Sequence, residues 1–153
     1  MTGLPSSGSF ERGVHAFPAR VYFEDTDLTG IVYHANYLRF MERARTEMLR
    51  ALGIEQQVML SAGDGYYSVY DLALTYIAPA RLDDVLTVRS YVLQVRAAAT
   101  VIGQDVWRDA MQLTRGRVTA AWLGMNGRPQ RQPRDWARRF SDLQTEANPD
   151  QCR

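Results

Sequence analysis

The sequence predicts one two-layer α+β domain in which a long helix lies on an antiparallel sheet. Three observations predict it. The chain has 153 residues, 46% hydrophobic and 23% charged, the size and composition of a single globular domain. One long stretch in its first third carries apolar residues at helical spacing. Four β-rich segments then follow in succession, and consecutive strands joined by short turns pair antiparallel. A helix with one apolar face buried against such a sheet completes two layers. A domain of this length buries about 68–70% of its unfolded surface, so no disulfide or metal is needed to hold it.

Residues 1–15 are rich in Gly, Ser and Pro and read as a flexible tail. The domain is expected over residues 16–143, with a second tail over 144–153. Its first strand is read over Ala19–Glu24, ending at the acidic, turn-prone run Asp25–Gly30. The helical stripe consists of Tyr37, Phe40, Met41, Ala44, Met48 and Leu52. Arg39, Glu42, Arg43, Glu47 and Arg50 hold the outward positions, with opposite charges three or four apart. Asn36 reads as the N-cap and Gly53 as the stop. A weaker helical pattern covers Glu55–Ser61. The first β segment is Tyr66–Ala78, with Tyr66, Tyr70, Leu72, Leu74 and Tyr76 on one side, and Pro79 ends it. Val85–Val95, Thr100–Trp107 and Leu113–Met125 follow, the last closed by an Asn126-Gly127 turn and Pro129. Both faces are apolar between Val85 and Trp107, as expected where each is covered, for instance by a partner subunit. Arg134–Leu143 reads as a short terminal helix.

A net charge of +1 gives no global field to draw nucleic acid or an anionic membrane. All 18 basic residues are Arg, which we assign to coding bias rather than to a site. The single cysteine, Cys152, has no partner in the chain and lies in the expected tail, which fits a reducing compartment. The first fifteen residues lack the apolar run of a secretory signal, and no segment has the length of a membrane span. The expectation is a cytoplasmic protein. His15 falls in the tail and is given no role.

Chemistry concentrates in Asp25-Thr26-Asp27-Leu28-Thr29-Gly30. A calcium loop of the EF-hand type needs a bidentate Glu at its twelfth position, which is Asn36 here, and helices on both sides. That reading is rejected. A solvated turn in which the carboxylates hydrogen-bond the backbone is the simplest alternative. In the third reading, a carboxylate on a loop before a helix N-terminus forms half of an acyl-transfer site. The open N–H groups hold a developing oxyanion, and the carboxylate attacks the acyl carbon or deprotonates water.

The run Val21–Tyr37, continued by Arg39–Leu49, resembles the signature of the 4-hydroxybenzoyl-CoA thioesterase family, and within it the Tol-Pal-associated acyl-CoA thioesterases. Tyr76–Asp84 (YIAPARLDD) is similar to a second family segment, and the resemblance covers about residues 17–140. It implies the hotdog fold, a long central helix wrapped by an antiparallel sheet, with active sites at the interfaces of a homodimer or homotetramer. It implies hydrolysis of an acyl-CoA, or of an acyl group on acyl carrier protein, without metal or redox cofactor. The matching catalytic carboxylate is Asp27, the polarising amide belongs to His34, and Tyr33 lines the same loop. Where the family often has a small hydroxyl residue after the Arg matching Arg96, this chain has Ala97-Ala98-Ala99. Either a polar contact to the thioester or the pantetheine arm is then missing or Thr100 replaces it, and Arg96 is a candidate for a CoA phosphate beside its simpler reading as a solvated residue at a strand end. Arg128, Arg131, Arg134, Arg138 and Arg139 read as a solvated face that could also meet an acidic carrier. A hotdog hydratase is disfavoured because no hydratase His motif appears in the helix region. A non-catalytic acyl-CoA sensor is disfavoured for want of a DNA-reading domain.

Overall fold

The computed structural model describes residues 3–147. Strands β1 (Ser9–Glu11) and β2 (Val14–Arg20) form a hairpin, helix α1 (Tyr37–Ala51) and the short α2 (Gln56–Ala62) follow, and β3 (Tyr66–Tyr76), β4 (Val85–Val95), β5 (Ala99–Arg108) and β6 (Met111–Leu123) precede α3 (Arg134–Glu146). The strands form one antiparallel sheet in the order β1-β2-β4-β5-β6-β3. With α1 laid along one face, this is the hotdog arrangement.

Helix α1 forms where the stripe places it. Tyr37, Phe40, Met41, Ala44 and Met48 are all buried, and full burial of each Phe or Met side chain contributes roughly 1.5–3 kcal/mol. The N-terminal half packs with Val21, Val32, Leu86, Val88, Val106 and Val118. Leu49 joins a second cluster with Ile54, Val92, Trp122, Trp136 and Phe140 that seats α3. Gly116 allows the helix its close approach, since a Cβ there would stand 2.9 Å from Met41 Cε and 2.7 Å from the Gln104 carbonyl oxygen. Arg45 is buried inside the helix–sheet layer, donating to Gln104 Oε1 (2.8 Å) and paired with Glu42.

Four expectations change. Residues 9–15 are not a tail: they are β1 and the start of β2, and His15 is fully buried with Nε2 2.9 Å from the Ser7 carbonyl. The first long strand runs over Val14–Arg20 instead of Ala19–Glu24, because the Tyr22–Thr26 backbone coils into a turn. Pro18 is tolerated in β2 because β1 has ended by then and the strand is an edge. Helix α3 extends to Glu146, with Ala147 buried behind it, so the expected tail is already ordered there; Cys152 lies outside the described residues. Finally, β3 pairs with β6 and not with its sequence neighbour β4. Its ladder shifts between Val69 and Asp71, leaving Tyr70 as an extra residue. One extra residue reverses the alternation, so Tyr67 rather than Tyr66 packs on Trp122, while Leu72 and Leu74 keep the inward side.

Candidate active site

Between β2 and α1 the chain makes a compact excursion. The Asp25 N–H donates to the Tyr22 carbonyl (3.0 Å), and the Thr26 N–H and hydroxyl both donate to the Phe23 carbonyl (3.1 and 2.8 Å). Thr26 then pairs with Val32, and the Asp27 N–H meets the Ile31 carbonyl (2.9 Å) to close a small loop. Gly30 turns this loop at φ +80°, a conformation that side chains disfavour. The segment Tyr76–Asp84 buttresses the loop from behind. The Val32 N–H donates to the Ala80 carbonyl (2.9 Å), Ile31 bridges Arg81, the Ala80 N–H donates to Tyr37 Oη (3.1 Å), and Tyr76 Oη donates to the His34 carbonyl (2.6 Å).

The two aspartates of the run have different fates. Asp25 is buried and spent: Oδ2 accepts the Tyr22 N–H (2.8 Å), and Oδ1 accepts Asn36 Nδ2 (2.7 Å). Its carbonyl also accepts the Tyr33 N–H (2.9 Å). Asp27 instead reaches the surface with Oδ1 held by the Thr29 hydroxyl (2.5 Å) and N–H (2.8 Å). These two bonds to Thr29 are the main reason its pKa lies below the ordinary carboxyl value; the Ile31 amide and the His34 ring add to the effect. Asp27 is therefore an ionised carboxylate held in one orientation at neutral pH.

Residues His34–Asn36 form a 3₁₀ turn that runs directly into α1. The first N–H groups of a helical segment have no partner inside it, and no hydrogen bond engages the His34 N–H among the described residues. The His34 ring lies against Tyr33 (centroids 4.5 Å apart) and edge-on to Tyr76 (6.5 Å). Asn36 precedes α1 as expected, but its side chain makes no capping bond to the helix. It reaches back to Asp25 instead. Asp27, Tyr33 and His34 thus share one loop, with a carboxylate and an open amide near the positive end of a fifteen-residue helix.

Arg96 and Thr100 do not join them within the chain. Arg96 follows the far end of β4, an eleven-residue strand, which at about 3.3 Å per residue separates it from the Asp84 end by more than 30 Å. Its guanidinium donates to Tyr70 Oη (3.0 Å) and Gln94 Oε1 (3.3 Å). Thr100 is buried and donates to Gln132 Oε1 (3.0 Å), so its hydroxyl is structural. It also lines a cavity of about 290 Å³ between α1 and the sheet, together with Arg45, Leu49, Tyr67, Ile102 and Phe140. In the arginine-rich stretch, Arg139 donates to the Leu52 carbonyl beyond the end of α1, and Arg138 pairs with Asp135 (3.2 Å). Sequence reasoning missed the parts played by Asp25, Asn36 and Tyr76. Only the acidic run itself signalled Asp25.

Among the described residues no helix is long and apolar enough to cross a membrane. A thioesterase superfamily model matches residues 29–114, beginning just after Asp27. The chain is 43% identical over 110 residues to the acyl-CoA thioesterase YbgC of Haemophilus influenzae, a match covering 72% of this chain and 81% of that protein. It is 43% identical over 90 residues to the acyl-CoA thioester hydrolase YbgC of an Escherichia coli strain, covering 59% of this chain and 66%, just under two thirds, of that protein. Among solved structures, a probable thioesterase from Bartonella henselae superposes with a TM-score of 0.76 at 33% identity, over 78% of this chain and 99% of the other. A 1,4-dihydroxy-2-naphthoyl-CoA thioesterase from Synechocystis superposes with a TM-score of 0.79 at 22% identity, over 85% and 97%, a likeness of fold.

Proposed function

The chain belongs to the thioesterase superfamily, and on that premise we propose that it is an acyl-CoA thioesterase whose working carboxylate is Asp27 and whose oxyanion donor is the His34 amide. One observation supports the residue assignment: of the two carboxylates in the run, Asp25 is buried with both oxygens engaged, whereas Asp27 is accessible on the loop that leads to the His34 turn. The thioester carbonyl oxygen rests on the His34 N–H, where the helix dipole adds positive potential. In the nucleophilic route, Asp27 attacks the acyl carbon, the C–S bond breaks as the tetrahedral oxyanion collapses, and CoA thiolate leaves. Water then hydrolyses the mixed anhydride to the free acid and regenerates Asp27. In the base route, Asp27 takes a proton from water as that water attacks the same carbon, and the departing thiolate receives the proton. Both routes begin from the ionised carboxylate, which Thr29 holds in one orientation.

The loop also exposes apolar side chains, Phe23 at 83% and Leu28 fully. This supports a site completed by a second copy of the chain, as a homodimer or a pair of dimers. Arg96 of the partner subunit and an acyl group delivered on carrier protein would enter the reaction only through that assembly. The function is tested by thiol release from short-chain, long-chain and aryl acyl-CoAs. Asp27→Asn preserves an oxygen for both Thr29 bonds, so the loop stays folded while the rate falls by about 10²-fold or more. Equal thiol release by wild type and Asp27→Asn overturns the assignment.

A further inference from the structure

We infer that Asp25 and Asn36 act as a positioning clamp that sets the Asp27 carboxylate against the His34 amide. The inference rests on the function proposed above and extends it to two residues that touch no substrate. The clamp joins three pieces of chain. Asp25 Oδ2 takes the Tyr22 N–H at the exit from β2 (2.8 Å), and its Oδ1 takes Asn36 Nδ2 at the entry to α1 (2.7 Å). Its own carbonyl takes the Tyr33 N–H (2.9 Å), one residue before the proposed oxyanion donor. Asp27 is two residues from one side of the clamp, and His34 two residues from the other. Both clamp residues are buried, Asp25 at 4% exposure and Asn36 at 8%, so water competes little for the bond between them. A hydrogen bond to a charged acceptor is stronger than a neutral one. The bond from Asn36 therefore ties the acidic turn to the helix N-terminus at a fixed spacing. The N-cap position already suits Asn, yet here its side chain is diverted from the helix amides to the loop.

The clamp has a chemical handedness that makes it testable. Asn36→Asp sets a second carboxylate against Asp25 and replaces attraction by repulsion, although Asp at a helix N-terminus is in itself favourable. The reciprocal exchange, Asp25→Asn with Asn36→Asp, restores both bonds: the new Asn accepts the Tyr22 N–H through Oδ1 and donates Nδ2 to the new carboxylate. Asp25→Asn alone is also tolerated, because rotating the Asn36 amide presents an oxygen to the new donor. A shift of the order of 1 Å between reacting groups costs about 10²-fold in rate. We therefore expect kcat for thiol release to fall about 10- to 100-fold in Asn36→Asp with KM nearly unchanged. The exchanged double variant should return to the wild-type range. A second readout is independent of turnover: hydrogen exchange of the Tyr33 amide, faster in Asn36→Asp and restored in the exchange variant. Wild-type kcat and wild-type Tyr33 protection in Asn36→Asp overturn the inference, as does an exchange variant no better than the single one. If Asp27→Asn retains full activity, the proposed function fails instead, and Tyr33 protection still decides whether the clamp exists.

Discussion

Gln132→Leu is expected to destabilise the protein severely while leaving the Asp27 loop intact. Gln132 is 2% exposed, and all of its side-chain bonding is internal. Its Oε1 accepts Tyr67 Oη (2.7 Å) and Thr100 Oγ1 (3.0 Å), while Nε2 donates to the carbonyls of Arg96 (2.9 Å) and Ala99 (3.0 Å). Leu keeps most of the volume and none of the bonds. The Ala99 carbonyl retains the Arg96 N–H, and the Arg96 carbonyl is only partly buried, so the two hydroxyls dominate the loss. A buried polar group left unpaired costs about 1–3 kcal/mol, and neighbouring losses are not fully additive. We expect about 3–5 kcal/mol in total, a large share of a typical 5–15 kcal/mol. That lowers the melting temperature by about 6–20 °C. Denaturant unfolding measures it as a lower midpoint at unchanged slope. Thr100→Val, which removes one hydroxyl and leaves Gln132 bonded to Tyr67, should cost about 1 kcal/mol with thiol release unaltered. A Gln132→Leu midpoint equal to wild type refutes the network argument, and a large rise in KM for Thr100→Val returns Thr100 to the substrate site.

Thr29→Ala removes the hydroxyl that contributes most to lowering the Asp27 pKa. The acid limb of kcat/KM for thiol release should therefore move to higher pH, whereas Thr29→Ser stays near wild type; superimposable profiles for all three contradict it. His15 is buried and its pKa is lowered from 6.5, mainly by desolvation. The folded state thus keeps the ring neutral, and the unfolded chain binds more protons below pH 6.5. Stability from this group is present above that pH and is lost as pH falls toward the lowered value. Urea midpoints should drop between pH 7.5 and 5.5 by more in wild type than in His15→Gln, as about one proton's linkage predicts; parallel drops would remove His15 from the account.

The long helix was legible because its signal is local. Six stripe positions repeat at the helical period, and all but Leu52 lie within α1. The expected bounds of β4 hold, and five of its eleven residues, Val85, Thr87, Val88, Val92 and Val95, are β-branched. β2 was not legible, because Pro18 argues against a strand until the end of β1 is known, and because Tyr22 and Phe23, strong β-formers, are held in a turn by Asp25. Strict alternation places Tyr66 and Tyr70 on the face of Leu72 and Leu74, and the bulge on β3 breaks that alternation, an effect that depends on β6 as the partner. The carboxylate run was read as the site, and residue likeness singled out its second member. Burial separates the two carboxylates, engaging Asp25 and leaving Asp27 accessible.

By itself, the sequence determined what depends on near neighbours: the order of elements, the apolar face of α1, and an acidic turn before a helix start. Periodicity and turn chemistry act over a few residues, so they are written in the local order of side chains. Tertiary structure alone decided which contacts form between distant segments. It placed β3 beside β6, assigned Thr100 to Gln132, and removed Arg96 from the Asp27 loop. It also buried Asp25 under Asn36 and left Asp27 at the surface. Those outcomes depend on which groups lose water and which partners meet them after the sheet has closed on the helix, and no single stretch of chain contains that information.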